Sequence, residues 1–332
     1  MSQPTPLPAT APGAPRGLAA LAGSVAALVA LAVGELVAGL IAGVPSPIAA
    51  VGAAIIDFAP PGSKDLMVSL FGTNDKVALT VFVVAVVLLV GAGVGLLARR
   101  HHGIAIVVIL AIVGVGLLAS LRLAGSSTTL VLVSAAAQAG LAILVLDALM
   151  GSARSAGAAG TSPARRSFLL RAGVLGTLAI VGGGLGRRML EGRAQQATAA
   201  AIEIPGATDP VAAPGPEASF AIDGLTPLIV PNADFYRIDT ALITPAVDLD
   251  SWTLRVFGMV DREVTLTFDE LVELPLIERY VTIACVSNEV GGDLVGNAKW
   301  TGVRLSDVLD MAGVQPGATQ IVPRSVDGWT AG

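Results

Sequence analysis

A multi-span α-helical membrane anchor followed by an α+β domain is the architecture that this sequence predicts, on three observations. The 332 residues are 54% hydrophobic, 14% charged and only 4% aromatic, which is too apolar for an ordinary soluble domain. The charge is divided: residues 1–194 hold 13 Lys and Arg against 6 Asp and Glu, while residues 195–332 hold 7 against 19, nets of +7 and −12 within an overall −5. The pattern also changes along the chain, from long apolar runs to short alternating ones after about residue 220. The acidic second half argues against a nucleic-acid partner, because phosphate binding needs a basic face.

Runs of about 20 apolar residues cross a bilayer as helices. After a cytoplasmic tail (1–17), four such runs make a transmembrane region over 18–150: Leu18–Val44, Val77–Ala98, Ile104–Leu121 and Thr128–Met150. The first ends at the Pro45-Ser46-Pro47 break. A fifth run, Phe168–Leu185, lies in the segment 151–193. Arg16, the Arg99-Arg100-His101-His102 loop and Arg154, Arg165, Arg166 and Arg171 alternate with loops holding only Lys64, Lys76 and Arg122. The positive-inside rule then puts the tail in the cytoplasm and everything after the fifth span outside a plasma membrane, with lipid as a partner.

Three further features belong to this half. His101 and His102, the only histidines, sit in a loop, so a haem held by two histidines inside the bundle is not expected. Glu35 and Asp147 fall within or near spans, where an ionisable group is costly; Glu35 suits either a functional role or a helix–helix hydrogen bond, and Asp147 can reach the interface. "SPARRSFLLRAGVLGTLAIVGG" (Ser162–Gly183) resembles a twin-arginine export signal, a route that carries folded domains. Ordinary positive-inside charges explain Arg165 and Arg166 equally well.

From 194 to 219 the composition, with PGATDPVAAPGPEAS, is that of a semi-extended linker. In the domain that follows, 220–332, Trp252–Val260 alternates as a strand and Asp261-Arg262 turn into VTLTF. Phe268–Pro275 reads as a short helix with acids in its first turn. Arg279–Cys285 is a β-branched strand, Leu305–Ala312 a helix closed by Gly313, and Thr319–Val326 a further strand. Mixed short elements without a βαβ repeat predict an α+β domain.

Cys285 is the only cysteine, so it closes no disulfide within the chain and is too little for a protein-built zinc site. The ordinary role of such a residue is to fill a core. It precedes, however, a long loop, Val286–Ala298, with Gly291, Gly292, Gly296, Asn288 and Asn297, where backbone N–H groups can approach a ligand closely. No His, Asp or Ser nearby completes a nucleophilic triad, so a thiolate acting on a metal is the better reading.

The run "TIACVSNEVGGDLVGNAKWTGVRLSDVLDMAGV" resembles the cysteine-containing core of the sulfite-oxidase-like molybdopterin oxidoreductase family. "PNADFYRIDTALITPAVDLDSWTLRVFGMVD" resembles its entry segment, and "PRSVDGWTAG" continues the likeness, which covers about Pro231 to Gly332. The resemblance implies the N-terminal part of a molybdopterin-binding fold, with a molybdenum–molybdopterin cofactor and two-electron oxygen-atom transfer on a small substrate, sulfite- or sulfoxide-like. Cys285 would be the thiolate ligand of molybdenum. Phe235, Tyr236 and Arg237 would line the pterin, with Arg237 near its phosphate or a substrate oxyanion. Asn232, Ser287, Asn288 and Asn297 would make polar contacts, and Arg324, Ser325 and Asp327 a second cofactor-facing loop. Where sulfite oxidases carry an asparagine-arginine-arginine run after the cysteine, this chain has Ser287-Asn288-Glu289, so a basic sulfite pocket is not expected there. Further pterin-binding residues and a β-sandwich usually follow in the family, so the sequence reads as C-terminally truncated. Electrons would pass to a separate cytochrome or quinone system. The competing reading is a non-catalytic multi-span protein with a vestigial cofactor domain.

Overall fold

The computed structural model describes residues 13–60, 62–71, 74–123, 125–159, 162–199, 203–220, 222–238, 241–245, 247–286 and 288–330. Most of the expected cytoplasmic tail lies outside them. The chain forms two compact units, one made of the helices up to Ala194 and one made mainly of residues 195–325.

In the first unit, α1 (Arg16–Leu40), α4 (Asp75–Ala98), α5 (His102–Arg122), α6 (Thr128–Ala159) and α7 (Ser162–Ala199) are long and apolar enough to cross a membrane, by length and composition. Between α1 and α4 lie two helices the sequence reading did not predict, α2 (Pro47–Asp57) and α3 (Ser63–Phe71). The Pro45-Ser46-Pro47 break is thus also a start signal. Ser46 caps α2, its hydroxyl accepting from Ala49 N at 3.1 Å, and Pro47 takes the first helical position, where its missing N–H costs nothing. The segment 151–193 is also mostly helical, since α6 runs on to Ala159 and α7 begins at Ser162 and continues to Ala199, into the expected linker.

Small residues set the packing. A Cβ on Gly23 of α1 would lie 2.5 Å from Gly95 N of α4, and one on Gly95 would collide with Ala19 O, so the two backbones touch. Phe168, fully buried, shares one core cluster with Leu146, Leu149 and Met150, while Arg165 and Arg166 are exposed. Asp147 pairs with His102 Nε2 at 3.2 Å, tying α6 to α5 rather than reaching out alone. Glu35 is 2% exposed and accepts from Ser46 Oγ at 2.6 Å and Ile48 N at 3.1 Å, so it holds the return from α1 to α2.

The second unit is the expected α+β mixture. β1 (Thr253–Val256) pairs antiparallel with β2 (Val264–Thr267), and β3 (Leu276–Ala284) with β4 (Val295–Val303). Its helices are α8 (Phe268–Val272) and α9 (Leu305–Ala312). Val264 and Leu266 face α9's Val308 and Ala312 in a small core. Thr267 and Glu270 form a capping box on α8. Gly313, at φ +70°, ends α9, whose terminal carbonyls take N–H donors from Asp261 and Arg262 in the β1–β2 turn.

Two expectations are corrected. Thr319–Val326 is not a strand; Arg324 makes only an isolated bridge to Thr330, and Pro323 lacks the donor a ladder needs. The linker is not a bare spacer either. Thr208 N donates to Leu276 O at 2.9 Å and Glu278 N to Asp209 O at 3.0 Å, laying a short parallel bridge along β3.

The α1–α4 contact leaves no space for a side chain. Gly23→Val should destabilise the detergent-solubilised chain by about 1–3 kcal/mol, the usual cost of overpacking, read as a lowered Tm. Gly93→Ala, which meets nothing within 4 Å, should leave Tm unchanged.

Candidate functional site

The β3–β4 hairpin builds the site. Its register runs from Leu276 opposite Val303 to Ala284 opposite Val295. Cys285 N–H extends the ladder by one bond, donating to Leu294 O at 2.9 Å. The connecting loop is therefore 285–294, shorter than the sequence suggests, and Gly296, Asn297 and Ala298 belong to β4.

The loop is stapled from inside. Asn288 N donates to Cys285 O at 3.0 Å, its Oδ1 accepts from Leu294 N at 2.8 Å, and Gly292 N donates to Glu289 O at 2.8 Å. Gly291 takes φ +77°, and a Cβ on Gly292 would come 2.8 Å from Asn288 Oδ1. The glycines thus permit a turn no bulkier residue fits. Cys285 is half-buried at its mouth, and Val286 and Val290 are fully exposed.

The segment 228–236 lies along β4. Val230 N donates to Asn297 O and Asn297 Nδ2 to Leu228 O, both at 2.9 Å. Phe235 packs over Gly296, where a Cβ would meet its ring at 2.7 Å. The Phe235 ring stacks on Tyr236, with centroids 5.2 Å apart, and meets Trp300 edge-on at 6.0 Å. Gly296 pairs with Ile283, two residues before Cys285, so the Phe235 ring stands at the cysteine end of the hairpin, while Trp300, opposite Arg279, lies farther along β4.

Of the expected site residues, the fold brings Cys285, Asn288, Asn297, Phe235 and Tyr236 to that end. Asn288 and Asn297 spend side-chain groups on the loop and on Leu228, which makes them positioning residues first. Asn232 lies exposed in the turn that leads to Phe235, with Asp234 N bonded to Pro231 O at 2.9 Å, and Arg237 follows, exposed. Arg324, Ser325 and Asp327 belong to a turn closed by Ser325 N donating to Trp329 O at 2.9 Å. Ser287 lies outside the described residues. Trp300 was not singled out in the sequence; its signal is a tryptophan in a run otherwise poor in aromatics, and its indole N–H donates to Val281 O at 3.2 Å.

A charge network on the hairpin also escaped the sequence. Asp209, from the linker, accepts from Arg279 at 2.5 Å and Arg304 at 3.4 Å. Glu278 accepts from Lys299 Nζ at 2.9 Å and Val211 N at 3.2 Å. The Arg279 hydrogen bond and charge hold the Asp209 carboxyl below its ordinary value. Lys299 does the same for Glu278, and Glu278 in turn raises Lys299. Three of the unit's cations are committed to these pairs, which leaves Arg237 and Arg324 as exposed cations beside the expected cofactor residues. Among the described residues no cluster of His, Cys, Asp or Glu is arranged to hold a metal ion. A metal at Cys285 must bring its remaining ligands with it, which suits a metal already chelated by a dithiolene and completed by one soft thiolate.

Residues 241–332 match the family model of the "Oxidoreductase molybdopterin binding domain". The "Uncharacterized oxidoreductase YuiH" of Bacillus subtilis (strain 168) is 34% identical over 83 residues, 25% of this chain and 40% of that protein. "Nitrate reductase [NADH] 1" of Oryza sativa subsp. japonica is 36% identical over 87 residues, covering 22% and 10%. Mitochondrial sulfite oxidase of Drosophila melanogaster is 33% identical over 106 residues, covering 28% and 18%. The chain spans less than half the length of the curated relatives it matches. No solved structure matches it.

Asp209, Glu270 and Glu278 all titrate below their ordinary values in the folded chain, Glu270 through its capping bonds to Thr267. A lowered folded-state value gives stability that is present above the unfolded carboxylate range near ~4 and lost as pH falls through the folded value. Raised Lys299 acts at the other end, losing its contribution only in strong alkali. Trp252, Trp300 and Trp329 all belong to the second unit, so tryptophan fluorescence reports on it. Its melting temperature should drop between about pH 5 and pH 2, and Asp209→Asn should lower the neutral-pH value and flatten that dependence.

Proposed function

We propose, from the premise that residues 241–332 belong to the sulfite-oxidase-like molybdopterin oxidoreductase family, that the chain is a membrane-anchored oxidoreductase with its cofactor domain on the extracytoplasmic side. The observation that carries the reading is Cys285 at the mouth of a glycine-turned, internally stapled loop at the end of β3, inside the matched segment. Five long apolar helices, the alternation of basic segments and the twin-arginine-like run in the first turns of α7 support the anchored, exported arrangement.

When bound, a molybdenum–pterin cofactor supplies two-electron oxygen-atom transfer on a small sulfite- or sulfoxide-like substrate. The chain's part is binding and orientation. Cys285 would hold the metal as its one protein thiolate ligand. The Cys285–Leu294 and Asn288–Leu294 hydrogen bonds fix where that sulfur stands, and Gly291 and Gly292 permit the turn that closes the loop. Phe235 and Tyr236 offer a flat apolar wall for a planar ring system. Arg237 and Arg324 offer the cations an anionic cofactor or an oxyanion needs, Arg237 being the one close in sequence to the aromatic wall. Asn232 is a polar contact beside that wall, and Ser287, Ser325 and Asp327 are further contacts by resemblance. The loop itself adds no cation, since Asn288 and Glu289 occupy it, so substrate charge would be met by Arg237. Electrons exchange with a separate partner.

Purified full chain should contain stoichiometric molybdenum and pterin, and Cys285→Ser should lose most of the metal while keeping its tryptophan melting profile. Metal and pterin absent from both proteins would sink the reading.

A further inference from the structure

We propose that the helical unit holds a binding slot for a lipophilic quinone, walled by α1, α2, α4, α5 and α6 and entered from the lipid between α4 and α5. The inference rests on the membrane-anchored oxidoreductase reading, which needs a two-electron partner, and names the class of that partner.

The helices α1, α4, α5 and α6 form a ring in which each touches the next. Small residues line its centre, Ala26, Ala27 and Ala30 from α1 and Gly116 from α5. They leave a cavity of about 280 Å³, in an interior where voids larger than a water molecule are few. Its walls run from Val83 to Val94 on α4, from Ile109 to Ser120 on α5 and from Val131 to Ala142 on α6. At a rise of ~1.5 Å per residue that is a slot about 16 Å long. The lining residues of α1, α2 and α6 are buried or half-buried, whereas Val86 and Val90 of α4 and Ile112 and Val115 of α5 are 39–63% exposed. The slot therefore opens sideways between α4 and α5, through a rim of apolar side chains.

One end of the slot is polar. Ser120 lies in the last turn of α5, and Ser134 and Gln138 lie in the first turns of α6. Ser127 N donates to Gly43 O at 2.8 Å, which brings the α1–α2 turn to the same end. Gln138 Nε2 donates to Ser134 Oγ at 3.2 Å. A Cβ on Gly34 would come 2.9 Å from Gln138 Cδ and 2.5 Å from Pro47 Cγ, so the amide is wedged against α1 and α2. Ser120 and Ser134 are 5% and 3% exposed, and among the described residues these three side chains make no other hydrogen bond. Their N–H and O–H groups outnumber what that one bond uses, and buried donors call for an acceptor. No charged side chain lines the slot, so an ionic headgroup would find no counter-charge. The occupant is thus neutral, long and apolar, with an acceptor at one end, and it arrives through lipid. A quinone meets these demands: a ring carbonyl accepts from Gln138 or a serine, and the tail follows the apolar walls out between α4 and α5. The electron count closes as well. Substrate, water and quinone give oxygenated substrate and quinol, the two electrons and two protons released on one side entering the ring on the other.

The test is photolabelling of the full chain in zwitterionic-lipid nanodiscs with an azidoquinone, competed by decylubiquinone. Competable label should map to peptides of α4, α5 and α6. Gly114 and Gly116 are two apart on α5 and a Cβ on either meets nothing within 4 Å, but only Gly116 lines the slot. Gly116→Leu should therefore fill the slot and lower competable label about tenfold or more, while Gly114→Leu leaves it unchanged and both keep a Tm near wild type. Gln138→Leu removes the donor without filling the slot and should lower the label roughly fivefold, so the site is still read if Gly116→Leu does not fold. Label that is equal in Gly116→Leu and Gly114→Leu and unmoved by Gln138→Leu overturns the inference. So does label displaced as well by dioleoylglycerol as by decylubiquinone. Molybdenum content separates the two claims. Metal present without competable label fails the quinone slot alone, whereas competable label without metal fails the oxidoreductase reading and leaves a quinone-binding protein.

Discussion

One backbone hydrogen bond, Cys285 N–H to Leu294 O, organises the candidate site. It is the last rung of the β3–β4 ladder, and with it the loop becomes a closed ten-residue turn instead of a floppy excursion. Asn288 then bonds the same Leu294 from its side chain, so two independent donors and acceptors fix one residue. A strand has a side-chain period of two, and slipping the register by one would turn every alternate residue to the opposite face. Cys285, Gly296 and the Phe235 ring over that glycine therefore stand or fall together. The aromatic wall depends on the absence of a Cβ at Gly296 as directly as the loop depends on Gly291 and Gly292.

What could be read in the sequence follows from how local the determining physics is. The five long helices were legible because about 20 consecutive apolar residues have few alternatives. Cys285 at a strand end was legible because β-branched residues precede it and glycines follow. Pro47 misled because proline ends one helix and begins another, and only the Ser46 cap separates the two roles. The start of β4 was hidden because Gly296 and Asn297 are poor strand formers that pair only because β3 lies alongside. Asp209 was hidden more deeply. Its flanking Ala and Pro read as linker, and its partners Arg279 and Arg304 lie 70 and 95 residues away.

The charged groups of the two units differ. Along the hairpin, Asp209, Glu278, Arg279, Lys299 and Arg304 neutralise one another on an exposed surface, where each pair contributes little alone and the set fixes where the linker docks. In the helical unit Glu35 Oε2 and Arg187 Nη1 are each buried without a hydrogen-bond partner among the described residues. Exposed charges can remain half paired because water finishes the job; buried ones cannot, which gives the second case its chemical interest.

The burial of Phe168 has a bearing on biogenesis. Export machinery that reads paired arginines followed by Phe-Leu must meet that phenylalanine as an accessible side chain, yet in the finished helical unit it is sealed in a cluster with Leu146, Leu149 and Met150. If the run is an export signal, recognition and assembly compete for that one residue. Under the export reading, the chain has a built-in order of events. The run would have to be read before Phe168 packs against Leu146, Leu149 and Met150 of α6.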